Sequence, residues 1–491
     1  GELNLAGILY PVSGTLQSGG NLTLLSTASA TALVDGSGSG TVSGDVTMQR
    51  YLASSFGYKY FSSPFQSATV NDFADDMDLT YWFPTVYEYD ESRTTSGWVD
   101  YTDPAGLLEP MKGYAVHFGA VSIPNTVDVN GELNNGPLSL TLYNNNNTYT
   151  QGLNLVGNPY PSPIDWDAAS GWTKTNIDDA IYFFKSSASD EYGGTYSSYV
   201  NGIPSDGSVT SVIPSMQGFF VHVSDGSYPV TGTLGMNNDV RVNNQTQSFF
   251  KSASLSKSDD KPLIRIAAAF EDDAESTDPL VIYVHNMASA YFDSQIEALK
   301  ILNTDFQVPN LYATVNDNKK LSINAIPDNF ESIQSIPLGL KINRGGTINF
   351  RIIDKDAYFD NLDIVLHDYL TESRKGLTGD SLYSVNLEAG EYHGRFYLEI
   401  LTTTTGTEDP ISQDALFDVY SSNSLLRTNI YEVKGREGVL SVFNLTGQLV
   451  SKQIIRQPGY YEYQAPPHRG IYIINYRTGD RSGSRKIFIA N

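Results

Sequence analysis

The sequence contains no cysteine among its 491 residues. That excludes disulfide staples, thiolate metal sites and thiol nucleophiles together, while leaving an oxidising compartment open, because a large core needs no staples. No run of about 18 apolar residues occurs, so nothing reads as a membrane-spanning helix. Positive charge is scarce: 31 basic residues face 55 acidic ones, for a net charge of −24. Nucleic acid requires clustered lysine and arginine to displace its counterions. No such cluster exists, so nucleic acid is not an expected partner. Histidine occurs six times, at His117, His222, His285, His367, His393 and His468. No two of them stand at metal-ligand spacing, which leaves a zinc hydrolase without support. A Gly-x-Ser-x-Gly elbow and a phosphate-cradling glycine loop are also missing, so the chain reads as non-catalytic. No charged-then-apolar leader follows Gly1, and the sequence is read as a mature or trimmed chain.

What is present is the material of turn-rich β-structure: 32 tyrosines, 42 glycines and 40% hydrophobic residues. Short alternating runs bounded by Gly, Asn, Asp and Pro predict an all-β, multidomain string of β-sandwiches. The best organisational signal is an internal repeat. Tyr58-Lys-Tyr-Phe-Ser-Ser-Pro-Phe matches Leu153-Asn-Leu-Val-Gly-Asn-Pro-Tyr, and Met111-Lys-Gly-Tyr-Ala-Val-His-Phe matches Met216-Gln-Gly-Phe-Phe-Val-His-Val. These matches predict duplicated β units at 46–144 and 145–242, after a β-rich segment at 1–45. Strand alternation places His117 on the face opposite Tyr114, Val116 and Phe118, which predicts a half-exposed strand histidine. From 243 to 401 the strands suit a jelly-roll-like sandwich. The stretch 402–410 is a linker by composition, and 411–491 forms a last β domain.

In that last domain, a strand–turn–strand unit at Val442 to Val450 carries Gly447 at its tip, where a tight hairpin needs positive φ. Gly470-Ile-Tyr-Ile-Ile-Asn-Tyr reads as a central strand, and Lys486-Ile-Phe-Ile closes the sequence with Ile487 and Ile489 on one face. In this order the three motifs resemble the type A C-terminal sorting domain of Bacteroidota type 9 secretion cargo. The resemblance is confined mainly to 417–491. It implies a small Ig-like sandwich, with Gly447, Gly470, Tyr472, Lys486, Ile487 and Ile489 in the recognition surface or its support. The implied partners are the outer-membrane translocon and its sorting-domain-binding shuttle proteins. The implied location is the extracellular face of the cell, in association with the outer membrane. Gly19-Gly-Asn-Leu-Thr-Leu resembles the last rungs of repetitive β-structures in large Bacteroidota surface proteins, although a plain hairpin has the same pattern. Ile336-Pro-Leu-Gly-Leu and Arg395-Phe-Tyr-Leu-Glu-Ile resemble the sandwich that often precedes a sorting domain.

Candidate sites are few. Acidic loops can hold calcium, and Asp354, Asp356, Asp360 and Asp363 are the set chosen for it, with no other cofactor implied. Exposed aromatics can stack on sugar rings, which nominates Trp82, Trp98 and Tyr101 for a surface polysaccharide. Two functions stay open. One is a secreted surface protein of structural or adhesive type, either released from or retained at the secretion or gliding machinery. The other is a carbohydrate-binding, non-catalytic part of a secreted polysaccharide-degrading protein.

Overall fold

Runs of four to ten β-favouring residues, cut by turn-formers, cannot sustain helices but can pair into sheets. The computed structural model describes residues 1–246, 261–328, 334–402, 416–422, 425–444, 446–468 and 470–489. Among them 52% lie in strands and no helix reaches seven residues, so the protein is all-β. Two compact units are present, Gly1–Thr402 and Thr403–Asn491. The expected linker falls, from 403 onward, outside the described residues.

The sequence repeat is a repeat of topology. In the first copy, Tyr114–His117 pairs with both Tyr58–Phe61 and Val86–Tyr89, and Trp98–Asp100 adds beyond Val86–Tyr89. In the second, Gly218–Val223 pairs with Leu153–Gly157 and Ile177–Ser186, and Gly194–Val200 adds beyond Ile177–Ser186. Each sheet is covered on one face by an antiparallel pair: Val46–Leu52 with Asn125–Gly131, and Leu138–Asn144 with Val230–Met236. The enclosed cores hold Met48, Val127, Phe61 and Val116 in copy one, and Leu142, Leu234, Phe183 and Phe219 in copy two. The opposite faces of both sheets meet in a third core through Tyr60, Ala115, Leu155, Tyr182, Phe184 and Phe220. Both sheets, of four and five strands, are therefore buried on both sides, and Tyr60 stacks on Phe184 with ring centroids 4.7 Å apart.

A reciprocal exchange locks this seam. Met111 and Met216 are both in left-handed backbone, with φ of 67° and 62°. Met111, in copy one, packs in the core of copy two, and Met216, in copy two, packs in the core of copy one. Their carbonyls accept from the opposite copies: Gly157 N–H donates to Met111 at 2.8 Å, and Ser62 N–H donates to Met216 at 3.0 Å. The glycines two residues on allow the close approach. A Cβ at Gly113 would stand 2.6 Å from the Val156 carbonyl oxygen, and one at Gly218 would stand 3.0 Å from the Tyr60 carbonyl carbon.

The first 45 residues form parallel rungs: Leu3–Leu5 pairs in parallel with Leu22–Leu24, which pairs in parallel with Val46–Leu52. Ile8–Leu9 and Thr15–Gln17 pair likewise with Leu33–Val34 and Thr41–Ser43. A hairpin makes antiparallel pairs, so this segment is coiled in rungs. Between 263 and 402 an eleven-stranded sheet brings Ile264, Ile266 and Phe270 from one region against Leu338, Leu398 and Ile400 from another in one core. A flat sheet cannot bring one face against itself, so the sheet rolls as a sandwich does.

The unit Thr403–Asn491 packs a three-stranded sheet (Phe417–Ser422, Leu425–Ile430, Gly459–Gln464) with a four-stranded one. Gly470–Thr478 is interior to the latter, between Gly438–Asn444 and Arg481–Ile489. Leu440, Val442, Tyr472, Ile474, Tyr476 and Ile489 make its core.

Truncating an exchanged methionine removes its apolar burial and leaves a cavity in the other copy. Met216→Ala is expected to lower the unfolding free energy by about 2–5 kcal/mol. Gly376→Ala, at a site with nothing within 4 Å, should change it by less than about 0.5 kcal/mol. Urea denaturation of the full chain measures both, and equal effects would show that the exchange carries no weight.

Candidate functional site at the seam between the copies

The two sheets repeat one pattern of pairing and exchange contacts reciprocally, and a histidine recurs in each. His117 and His222 occupy equivalent strand positions, and both are buried, at 4% and 1% exposure. The half-exposed histidine predicted from alternation is thus corrected: the second face of each strand is covered by the other copy. A second pair of equivalents follows each middle strand. Asp90-Glu91 and Asp190-Glu191 both form turns in which the Asp side chain accepts a backbone N–H two residues on, from Ser92 at 2.9 Å and Tyr192 at 3.1 Å. Each turn sends its glutamate to the other copy.

The two halves differ in what the glutamate meets. Glu91 is buried and clamps the loop that leads into the first strand of the second sheet. Its carboxylate accepts from Asn145 N–H at 3.1 Å, Asn145 Nδ2 at 2.5 Å, Thr150 Oγ1 at 3.2 Å and Gly152 N–H at 3.2 Å. Beside it, His222 Nδ1 contacts Asp178 Oδ2 at 2.6 Å, and Ser224 donates to the other oxygen of Asp178 at 2.5 Å. This half is closed and satisfied.

In the other half, Glu191 Oε1 lies 2.9 Å from His117 Nε2, and neither of these buried atoms has a further hydrogen-bond partner among the described residues. Burial holds the His117 imidazole below its ordinary value, and the charge of Lys59 pushes the same way, against the pull of Glu191. Lys59 itself is turned beneath, donating to the Phe56 carbonyl and Ser186 Oγ, both at 2.6 Å. Above this pair stands an aromatic cluster drawn from both copies. Phe83 packs edge-on against His117 at 5.2 Å, Tyr192 at 5.3 Å, Tyr81 at 4.7 Å and Trp82 at 4.8 Å. Trp82 is 79% exposed, Tyr192 52% and Tyr81 42%.

Of the three aromatics nominated from sequence, only Trp82 belongs to this surface. Trp98 is half-buried between Tyr60 and Tyr89, with centroids 5.6 and 5.0 Å away. Tyr101 lies against Tyr114 at 5.3 Å and donates to the Leu107 carbonyl at 2.8 Å. Sequence reasoning missed Glu91, Glu191 and Phe83, and the recurrence of Asp-Glu after equivalent strands was the signal for the first two. The calcium set is not brought together either. Asp354 pairs with Arg265 at 2.5 Å, Asp360 pairs with Lys355 at 2.7 Å, and Asp356 accepts Leu263 N–H at 2.9 Å. Asp363 sits apart from them on the strand Leu362–Asp368. Among the described residues no group of three His, Asp or Glu side chains is placed to hold a metal. In the C-terminal unit Tyr472 and Ile489 are buried in the core and Ile487 packs against it. Gly447 has φ +80° at its hairpin, and Gly470 opens the interior strand opposite Ile489. Lys486 lies on the last strand opposite Ile473.

A cavity of about 500 Å³ opens elsewhere, lined by Trp166, Asp167, Lys174, Asp179, Lys261 and Gln295. Its charged groups are committed within the fold. Lys174 sits 3.7 Å over the Trp166 ring and 3.6 Å from Asp179, Asp167 accepts from Tyr199 Oη, and Lys261 donates to Asn201. The seam is therefore the stronger candidate.

Comparison with known proteins gives a family and little more. The family described as a domain of unknown function (DUF8693) matches residues 12–400. No curated protein matches. Among solved structures, a β-glucuronidase from Ruminococcus gnavus in complex with uronic isofagomine is similar at 10% identity and a TM-score of 0.13, over 90% of this chain. The chain spans 44% of that protein's length. A score at this level carries no argument, and it does not establish catalysis.

A histidine kept neutral by burial adds stability that is fully present above its ordinary value of 6.5. That stability is lost as pH falls through the depressed folded value. Urea midpoints of the native chain should therefore drop more steeply between about pH 7 and pH 5 than those of His117→Gln. Parallel curves would show that His117 titrates alike in folded and unfolded chains.

Proposed function

We propose that this chain, which belongs to the family described as a domain of unknown function (DUF8693), is a non-catalytic protein of adhesive or structural type, displayed at the cell surface after type 9 secretion. The observation that carries the reading is the C-terminal unit. It is a compact body of its own, a two-sheet β domain in which the Gly470–Thr478 strand is interior and the Arg481–Ile489 strand is paired along its length. A secretion machinery can bind such a body independently of whatever precedes it. Tyr472 supports it from inside, with its hydroxyl donating to the His468 carbonyl at 2.8 Å. On this reading the partners are the outer-membrane translocon and its shuttle proteins. Retention of the unit would make it a docking module at the secretion or gliding machinery.

A second reading, carbohydrate binding within a secreted polysaccharide-degrading protein, is favoured by one observation: the exposed aromatic cluster of Tyr81, Trp82 and Tyr192. The absence of a paired acid and nucleophile in the motifs keeps the proposal non-catalytic.

Deleting 416–491 should leave the passenger inside the cell, as followed by immunoblotting of cell, outer-membrane and medium fractions from a type 9-competent host. Tyr472→Ala, which hollows the core of the same unit, should reduce export in the same direction. Normal surface display of the truncated chain would overturn the reading.

A further inference from the structure

We propose that the open half of the seam is a binding site for a neutral glycan, whose pyranose ring stacks on Trp82 and Tyr192 while its hydroxyls bond to Glu191 and the neighbouring tyrosine hydroxyls. The inference rests on the second reading above and gives it a place and a ligand class. Three observations combine.

The first is the comparison of the two halves. Four donors fill the clamp of Glu91, all supplied by the loop 144–152. The corresponding loop in copy one runs from Leu52 to the equivalent left-handed glycine, Gly57 (φ +70°), and sends no side chain to Glu191. The equivalent carboxylate meets only His117, with Oε1 2.9 Å from Nε2 and no further partner for that oxygen, and its side chain stays 24% exposed. A carboxylate held by one contact keeps acceptor capacity on its exposed side that the fourfold clamp of Glu91 has used up.

The second is the wall. Trp82, Tyr81 and Tyr192 present aromatic faces to solvent in mutual contact through Phe83. Exposed rings so clustered mark interaction sites, and flat apolar faces with polar rims suit sugar rings.

The third is charge. The rim carries Asp190 and Glu191 beside Tyr192, with Asp78 on the Tyr81 loop capped by Thr80. Lys59, the cation that bears on His117, is directed into the fold. Carboxylates accept hydrogen bonds from sugar hydroxyls and repel uronates and sulfates, which selects a neutral glycan.

Affinity electrophoresis and calorimetry of the purified full chain test this, with mixed-linkage β-glucan and galactomannan as neutral probes, polygalacturonate as the uronate, and nonalysine as a basic peptide. At least one neutral probe should bind. Trp82→Ala and Tyr192→Ala should each weaken that binding by about tenfold or more. Glu191→Gln, which keeps the shape and removes the charge, should weaken it less and relieve the exclusion of polygalacturonate. Tyr149→Ala removes an equally exposed aromatic (66%) from the closed half and should leave binding within about twofold. Failure of both neutral probes, preference for polygalacturonate or nonalysine, or an equal loss with Tyr149→Ala would overturn the proposal. Binding is read on purified protein, so failed export bears on the secretion reading alone.

Discussion

Two methionine side chains, each seated in the core of the other copy, set the terms for the rest of the first unit. Because Met111 and Met216 cross over, neither sandwich has a complete core alone, and the sheets must meet on their remaining faces. A sheet buried on both sides has nowhere to hydrate a polar group. Every polar residue on the inner face must then find its partner within the protein, across the seam or in its own copy. Tyr60 and Tyr196 share a hydroxyl contact at 2.7 Å, Glu91 takes four donors, and His222 has Asp178. The left-handed backbone at both methionines costs roughly 1 kcal/mol each, and the carbonyl–amide pairs and apolar burial at the same place offset it.

Against that rule one location stands out. Glu191 and His117 occupy the positions where Glu91 and His222 are closed in, yet the loop that does the closing is shorter in copy one. Polar groups that elsewhere face a loop here lie beneath aromatic rings. The difference between the halves is one of loop length, not of scaffold. Loops vary more readily than the strands that hold them.

The all-β class was legible because it depends on local pattern: alternation and turn residues. The interior position of Gly470–Thr478 was legible for the same reason, since apolar residues on both faces imply neighbours on both sides. What faced the second side of a strand was not legible. His117 and Trp98 alternate as surface residues do, but the other copy covers them, with Glu191 against His117 and Phe220 against Trp98. The acidic run Asp354 to Asp363 reads as a cation loop, and only three-dimensional pairing reveals that Arg265 and Lys355 already occupy it. The N-terminal rungs carried no distinguishing local signal, because parallel and antiparallel partners share the same alternation.

A seam built from reciprocal contacts is the geometry of a symmetric dimer, here drawn within one chain. Joined copies meet at an effective concentration of the order of millimolar, so the seam persists however far the protein is diluted. Fusion also frees the two sides from being identical. A true dimer would carry two equal faces, whereas one covalent chain can bury the carboxylate of one half under a loop and set aromatic rings over the other.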